Sequence, residues 1–370
     1  MFEVKTSAEL RLAAACCALD GSEDPHLFPD LEKIDWARFA AVVERHRIEP
    51  LVYHHRSRLG SSLPAGVAAA LKNASESVIA DNLRFAAESG LLLRVFQERG
   101  LQPLFVKGLS LSKLVYGNIA LKRGWDIDLL VDKSELCTAA SALRAMGYAC
   151  ILPRSASSDM NLLSWSRVSK ESIWHHESRR IFIELHTRLV DNPRLLRGLD
   201  LTQRQEVEVA GGIVLPTLAS DSLFTYLCVH GASSCWFRLK WIADLAAFLA
   251  GKSPDEVDRL YRASQEMGAG RASAQALLLC DELFGISAPA DLMRFLRADW
   301  TNRLLTQLAL NLLDGGQPDL ELEKKRWGTW PIHLAQFFLL KGWHFKASEV
   351  RRQARSLWHS LAGSHQPAVA

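Results

Sequence analysis

The hydrophobic periodicity of this 370-residue chain changes twice, and these changes constrain the fold more than any other feature. Residues 1–100 carry apolar side chains at three-to-four spacing, which predicts helices. The helical segments are Ser7–Leu19, Asp35–Leu59 and Ala65–Arg99. Residues 101–216 contain short apolar runs and alternating stretches that are typical of strands. Helical spacing returns over residues 217–370, so the pattern predicts an α+β fold with a small mixed sheet between N- and C-terminal helical sections.

The strand-like region can be divided further from its local patterns. Its candidate strands are PLFVKG, DIDLLV, YACIL, ESIWHHE and RIFIELHTRL. Asp132 and Glu135 follow DIDLLV at the spacing of a capping box, which predicts that a helix starts there. The alternating stretch Gln205–Leu215 is split by Gly211 and Gly212, as expected of a β-hairpin.

Composition excludes several classes of protein. Apolar residues make up 48% and charged residues 23% of the chain, which is typical of a folded protein. The net charge of +3 is too small to favour nucleic acid as a partner. Seven cysteines without a Cys-x-x-Cys pair, and the lack of a signal-peptide pattern at the N-terminus, predict a reduced, cytoplasmic protein. No apolar run is long enough to predict a membrane span.

The most informative motif is the pair Asp126 and Asp128 at the start of DIDLLV. Residues two apart on a strand point to the same face. Two buried like charges on one face repel each other unless a cation lies between them. A divalent ion with hard oxygen ligands, Mg²⁺ or Mn²⁺, meets this need. The alternative is that both carboxylates are solvated or paired with Lys122 and Arg123.

Residues upstream and downstream of this pair support a functional site. Lys107 and Gly108 lie where a strand runs into a helix, and a glycine there lets a phosphate approach the free backbone N–H groups. Ser110 in the first helical turn offers a further donor. Glu184 interrupts the apolar strand FIELHTRL, which suggests a buried functional carboxylate, although an acid at a sheet edge facing water would look the same. His186, two residues later, shares the face of Glu184.

The stretch LFVKGLSLSKLVYGNIALKRGWDIDLLVDKSEL resembles the DNA polymerase β-like nucleotidyltransferase superfamily. It is most similar to a poorly characterised bacterial branch with a Lys-Gly…Arg…Asp-x-Asp-Leu-Leu-Val pattern. FIELHTRL matches the third-carboxylate strand of that branch, and LCVHGASSCWFRLKWIADLAAFL matches its following helical segment. The resemblance covers about residues 100–250 and implies that residues 101–216 form a nucleotidyltransferase core.

The resemblance also implies roles for individual residues. Gly108 would lie in the turn that holds the triphosphate, while Asp126 and Asp128 would bind two magnesium ions. Glu184 would bind one ion and help to activate the acceptor hydroxyl. The chain departs from the pattern at Gly108-Leu109, where the superfamily has Gly-Ser or Gly-Gly. The cations Lys107 and Arg123 flank this motif and are candidates for offsetting charge on the pyrophosphate, with surface salt bridging as the alternative. His186 is a further candidate for nucleotide binding, and the alternative is a hydrogen-bonded structural histidine.

These observations favour a metal-dependent transferase that moves a nucleotidyl group from an NTP, such as ATP, to a hydroxyl or phosphate of a small molecule, peptide or protein. The branch often accompanies biosynthetic genes, which implies natural-product or peptide modification. One alternative is a metal-dependent glycosyltransferase that binds a nucleotide sugar through Asp-x-Asp, but helical residues 1–100 disfavour it. Another is a non-catalytic helical binding scaffold. The basic, amphipathic C-terminal helix has no assigned partner.

Overall fold

The computed structural model describes residues 6–19, 28–154, 159–315, 317–325 and 328–362. The helices are α1 (Ala8–Cys17), α2 (Trp36–His46), α3 (Glu49–His54), α4 (Ala65–Gln97), α5 (Gly108–Tyr116), α6 (Leu136–Ala145), α7 (Asp159–Ser166), α8 (Ser220–Ser233), α9 (Leu239–Leu249), α10 (Pro254–Glu266), α11 (Gly270–Phe284), α12 (Ala290–Ala298), α13 (Trp300–Leu313), α14 (Trp330–Gln336) and α15 (Trp343–Ala362). The strands are β1 (Leu104–Phe105), β2 (Asp126–Leu130), β3 (Ala149–Leu152), β4 (Glu171–His176), β5 (Ile181–His186), β6 (Arg204–Ala210) and β7 (Ile213–Leu218). The predicted α+β fold, with helices flanking a small mixed sheet, is confirmed.

Five strands form the main sheet in the order β1-β2-β5-β4-β3. Strands β2 and β5 are parallel, while the other neighbouring pairs are antiparallel. Strands β6 and β7 form a separate hairpin, joined by Gly211 and Gly212, both with positive φ. The structure therefore contains the hairpin that the paired glycines predict.

The two faces of the main sheet have different chemistry because side chains alternate along each strand. One face is apolar and packs against α4 and α6. Its buried residues include Ile127, Leu129, Trp174, Ile183 and Leu185. The opposite face of β2 and β5 carries the carboxylates, so burial of the apolar face fixes the direction in which the polar side chains point.

The N-terminal section differs from the prediction at one place. The predicted helix Asp35–Leu59 is divided into α2, α3 and a 3₁₀ turn over Arg56–Ser62. Helix α2 ends because Arg47 adopts the left-handed conformation, with φ 58° and ψ 45°. Helix α3 then starts with Pro50 in its first turn, where the missing N–H costs no helical hydrogen bond. The apolar spacing continues across the break, which is why periodicity alone predicts one helix.

The two helical sections contact each other beside the sheet. A shared hydrophobic core contains residues of α1 and α2 together with residues of α8, α9 and α11. A buried hydrogen bond from the backbone N–H of Leu239 to Nδ1 of His46, 3.0 Å long, joins α9 to α2. The guanidinium of Arg238 also donates to the carbonyl of Arg45. These contacts bring residues from both ends of the chain to the carboxylate face of the sheet. No helix of the described residues is long and apolar enough to cross a membrane.

Candidate active site

Three carboxylates lie on one face of the sheet. Asp126 and Asp128 project from β2, and Glu184 on β5 is the direct neighbour of Asp128 across the parallel pair. Asp128 is buried, with 5% of its surface exposed, and Glu184 is half-buried. Strand alternation and register thus bring the three acids predicted from sequence to one place.

Lys107 is the closest cation to this group. Its Nζ lies 2.9 Å from Oδ1 of Asp128, and both side chains are largely buried. Burial disfavours the charged form of Asp128, but Lys107 and His186 outweigh it and hold the pKa of Asp128 below its usual range. Burial likewise disfavours charged Lys107, but Asp128 and other nearby acids raise the pKa of Lys107 well above normal. The pair is therefore ionised.

Asp126 is in a different situation. Among the described residues, its carboxylate has no hydrogen-bond or ion-pair partner. Burial, followed by the charges of Asp128 and Glu184, raises the pKa of Asp126 to about 7. An acid without a counter-charge beside two other acids is costly. The charges of Lys107 and Lys240 oppose this rise in pKa but do not cancel it.

His186 lies beneath the carboxylates and is fully buried. Its Nε2 is 3.2 Å from Asp128 and 3.3 Å from Glu184, and its Nδ1 is 3.3 Å from Glu171. Burial disfavours protonation, but hydrogen bonds with Asp128 and Glu184 raise the pKa of His186. The ring of His186 contacts these carboxylates and is not among the side chains that line the main cavity. A role for His186 in nucleotide binding stays a prediction.

Gly108 occupies the turn between β1 and α5 with φ +61°, a conformation that favours glycine. A side chain there would point towards the carbonyl of Asp126, 4.0 Å from the added Cβ, so the turn is open on that side. Ser110 is fully buried, and its hydroxyl has no hydrogen-bond partner among the described residues. It lines a small void beside Gly108 and Asp126 rather than the main cavity.

Arg123 is held by a salt bridge of 3.1 Å to Glu49 of α3. Its guanidinium also lies over the ring of Trp125, 5.6 Å from the ring centroid. Lys122 pairs with Asp244 of α9. Asp126 and Asp128 are therefore not paired with Lys122 and Arg123, as one sequence-based alternative required.

A cavity of about 360 Å³ opens above the carboxylates. Its acidic floor is formed by Asp126, Asp128 and Glu184, and the apolar side chains Ile173 and Phe182 line its wall. Cations line the cavity too, from the turn before α5, from the loop before β2 and from both helical sections. They are Arg47, Lys107, Lys122, Arg123 and Lys240. The site thus combines an acidic floor with a basic wall, as a site for a metal-bound anion would.

The donor atoms fit a divalent cation. One ligand atom each from Asp128, Glu184 and His186 lies within 4.8 Å of the others, and the carboxylate of Asp126 lines the same cavity without a partner. Carboxylate oxygens suit Mg²⁺ and Mn²⁺.

Some site residues escape sequence analysis. Glu171 lies opposite His186 in β4, and a salt bridge of 2.6 Å joins it to Lys170. Strand alternation within ESIWHHE could have identified Glu171 once the pairing of β4 with β5 was known. Arg47 gives no local signal, because it comes from a helical section far from the sheet in sequence, and Lys240 is marked only by its place in the helical segment that carries the family resemblance.

Comparison with known proteins agrees with this geometry. Residues 32–285 match the sequence model of a family described as "Uncharacterised nucleotidyltransferase". The match includes β2, β5, the Gly108 turn and α9. The search of curated protein sequences returned no match.

Proposed function

The chain belongs to the uncharacterised nucleotidyltransferase family, and from this premise we propose that it moves a nucleotidyl group from an NTP to a hydroxyl or phosphate acceptor. The observation that carries the proposal is the register of β2 and β5, which sets Asp128 beside Glu184 and leaves Asp126 on the same face. Asp126, Asp128 and Glu184 would hold Mg²⁺ or Mn²⁺. Bound there, divalent ions supply charge stabilisation to the attacking and leaving oxygens of an in-line displacement.

The protein's own residues position the reactants. The backbone turn at Gly108 is open towards Asp126 and offers helix N-terminal N–H groups to a phosphate. The side chain of Glu184 is 23% exposed, against 3% for Asp128, and is placed to accept a proton from the acceptor hydroxyl. His186, held from below by Glu171, keeps Asp128 and Glu184 in fixed orientations.

Lys107 has two roles in this proposal, one towards Asp128 and one towards a phosphate. In the absence of a metal ion it neutralises Asp128, which would otherwise be a buried unpaired charge. When Asp128 has a cation as ligand, the Nζ of Lys107 becomes free to turn towards a phosphate beside Gly108. The acceptor would lie at the end of the cavity with Ile173 and Phe182, and a small molecule, peptide or protein all fit this chemistry.

Helices α1–α4 precede the first strand, so the described residues lack the nucleotide-binding α/β section that a glycosyltransferase would place before Asp-x-Asp. The test is Mg²⁺-dependent pyrophosphate release from each of the four NTPs in the presence of candidate hydroxyl and phosphate acceptors. Asp126→Asn and Glu184→Gln should each lower the rate about 100-fold or more. The control is Asp132→Asn, because Asp132 caps the turn after β2, where asparagine also caps well. Normal release by both site variants would refute the proposal, and binding without release by the wild type would favour a scaffold.

A further inference from the structure

The cations that line the cavity divide into two groups. Lys107, Lys122 and Arg123 are each paired with a carboxylate, namely Asp128, Asp244 and Glu49. Arg47 and Lys240 also line the cavity, but among the described residues no carboxylate oxygen lies within 4.0 Å of either side chain. Two unpaired cations in one partly buried cavity repel each other and leave its wall positively charged.

The backbone holds these two cations close together. The hydrogen bond from Leu239 N–H to His46 Nδ1 joins the residue before Lys240 to the residue before Arg47. Arg238 and Arg45, one position further back, are also hydrogen-bonded. Because these bonds are buried, the two side chains are placed at the cavity by the core of the protein and not by flexible loops.

Arg47 adopts a backbone conformation that is unfavourable for arginine. Arg47 ends α2 with φ 58°, a position where glycine or asparagine is preferred and other residues are strained. Its guanidinium lies over Trp125, 5.2 Å from the ring centroid, on the chain segment that leads directly into Asp126. A strained arginine that is stacked rather than ion-paired suggests that its charge serves a ligand.

The two sides of the cavity also differ in their chemistry. Gly108 faces the backbone of Asp126, and Lys240 lines the same cavity as Asp126. Glu184 and Phe182 lie on β5 and Ile173 lies on β4, on the side of β2 away from β1 and the Gly108 turn. An in-line displacement places the leaving pyrophosphate opposite the incoming acceptor. The basic wall therefore lies at the pyrophosphate end and the apolar wall at the acceptor end.

We propose that Arg47 and Lys240 form a polyphosphate subsite that holds the β- and γ-phosphates of the donor, completed by one cation from each helical section. The inference rests on the proposed transferase function and extends its phosphate site beyond the sheet and the Gly108 turn. A bound polyphosphate supplies the negative charge that both side chains lack. Burial, followed by the nearby cations Lys122 and Arg47, lowers the pKa of Lys240 to about 7, which agrees with a cation that has no counter-ion.

The test measures binding of inorganic tripolyphosphate, with and without Mg²⁺, by calorimetry, because this probe needs no nucleobase and no acceptor. Arg47→Asn tolerates the left-handed backbone and removes the charge, and Lys240→Gln removes the second charge. Each should weaken tripolyphosphate binding about tenfold or more, since a charge-assisted contact is lost. Arg47→Lys and Lys240→Arg should retain most of the affinity.

Arg56→Asn is the matched control, because Arg56 is an exposed guanidinium that also lies over an aromatic ring, that of Tyr53, outside the cavity. A second measurement needs no variant. Lysine acylation of the folded wild type, followed by mass spectrometry, should modify Lys240 readily near neutral pH, and tripolyphosphate should protect it.

Wild-type affinity for tripolyphosphate in both charge-removing variants, or an equal loss in Arg56→Asn, would overturn the subsite. If those variants instead raise only the KM for an acceptor, the pair binds the acceptor and the inference is wrong, while the transferase proposal stands. If the wild type binds neither tripolyphosphate nor any of the four NTPs with Mg²⁺, the proposed function fails together with the subsite.

Discussion

Replacing Asp128 with asparagine tests the electrostatics of the site without changing its shape. Two acids on one strand face would repel each other, so the sequence alone predicts equal or higher stability for the metal-free variant. The structure reverses that expectation. Lys107 Nζ is 2.9 Å from Asp128, and the side chains of the two residues are only 18% and 3% exposed, so Asp128→Asn leaves a lysine buried without its partner.

The expected loss can be estimated from buried ion pairs. Removing one partner costs about 3–5 kcal/mol, and the lower value applies here because asparagine can still hydrogen-bond to His186. At about 1.3 °C per kcal/mol for a chain of this length, the melting temperature should fall by roughly 4 °C or more. Mg²⁺ should raise the melting temperature of the wild type by mass action and leave that of the variant nearly unchanged.

The assay is thermal unfolding in EDTA and in excess Mg²⁺. Asp221→Asn is the control, because Asp221 pairs with Arg259 at 2.6 Å but both side chains are exposed, at 42% and 57%. That pair should contribute about 1 kcal/mol or less. Combining Asp128→Asn with Lys107→Met should remove most of the penalty, since the lysine charge is then absent. The reasoning is refuted if Asp128→Asn melts at or above the wild-type temperature in EDTA.

Two further predictions concern the phosphate turn and the contact between the helical sections. Gly108→Val should weaken NTP binding because the valine side chain fills the approach beside Asp126. The control is Gly117→Val at the other end of α5, where φ is +67° and the space is open, so it should cost similar stability without affecting binding. Equal NTP affinity in both folded variants would count against a role of the Gly108 turn in phosphate binding. Burial, followed by the charge of Arg45, lowers the pKa of His46 well below 6.5, so the neutral ring contributes stability above about pH 6.5 that is lost as pH falls. The free energy of unfolding should be measured with denaturant from about pH 7.5 to pH 5.5. As pH falls, it should decrease by up to about 1.4 kcal/mol per pH unit less in His46→Gln than in the wild type, and parallel pH profiles would contradict this assignment.

Local patterns were sufficient to predict the sheet and its acids. Alternation places Asp126 and Asp128 on one face of β2, and the polar interruption of FIELH identifies Glu184 on another strand. The family resemblance then predicted that these acids share a site, and the register of β2 with β5 brings Asp128 and Glu184 side by side.

The partners of the charged residues could not be predicted in the same way. Lys122 and Arg123 are next to the acids in sequence, yet they pair with Asp244 and Glu49 from the two helical sections. Lys107, some 20 residues from Asp128, is its partner because β1 and β2 are antiparallel neighbours. Such pairings depend on tertiary contacts between segments far apart in sequence.

The break after α2 has a similar cause. Apolar spacing continues through Arg47, and arginine is not a residue that usually ends a helix in the left-handed conformation. The contact of His46 with Leu239 on α9 fixes the end of α2 from outside the segment. Arg47 can therefore be identified as a cavity residue only when the packing of the two helical sections is known.

The most direct test of the central claim follows the phosphorus atoms of the donor. The wild type is incubated with Mg²⁺, candidate acceptors and each NTP labelled at either the α- or the γ-phosphate. We expect α-label on the acceptor and γ-label only in released pyrophosphate, with both signals lost in Asp126→Asn. Transfer of the γ-label to the acceptor, or label transfer that persists in Asp126→Asn, would contradict the account.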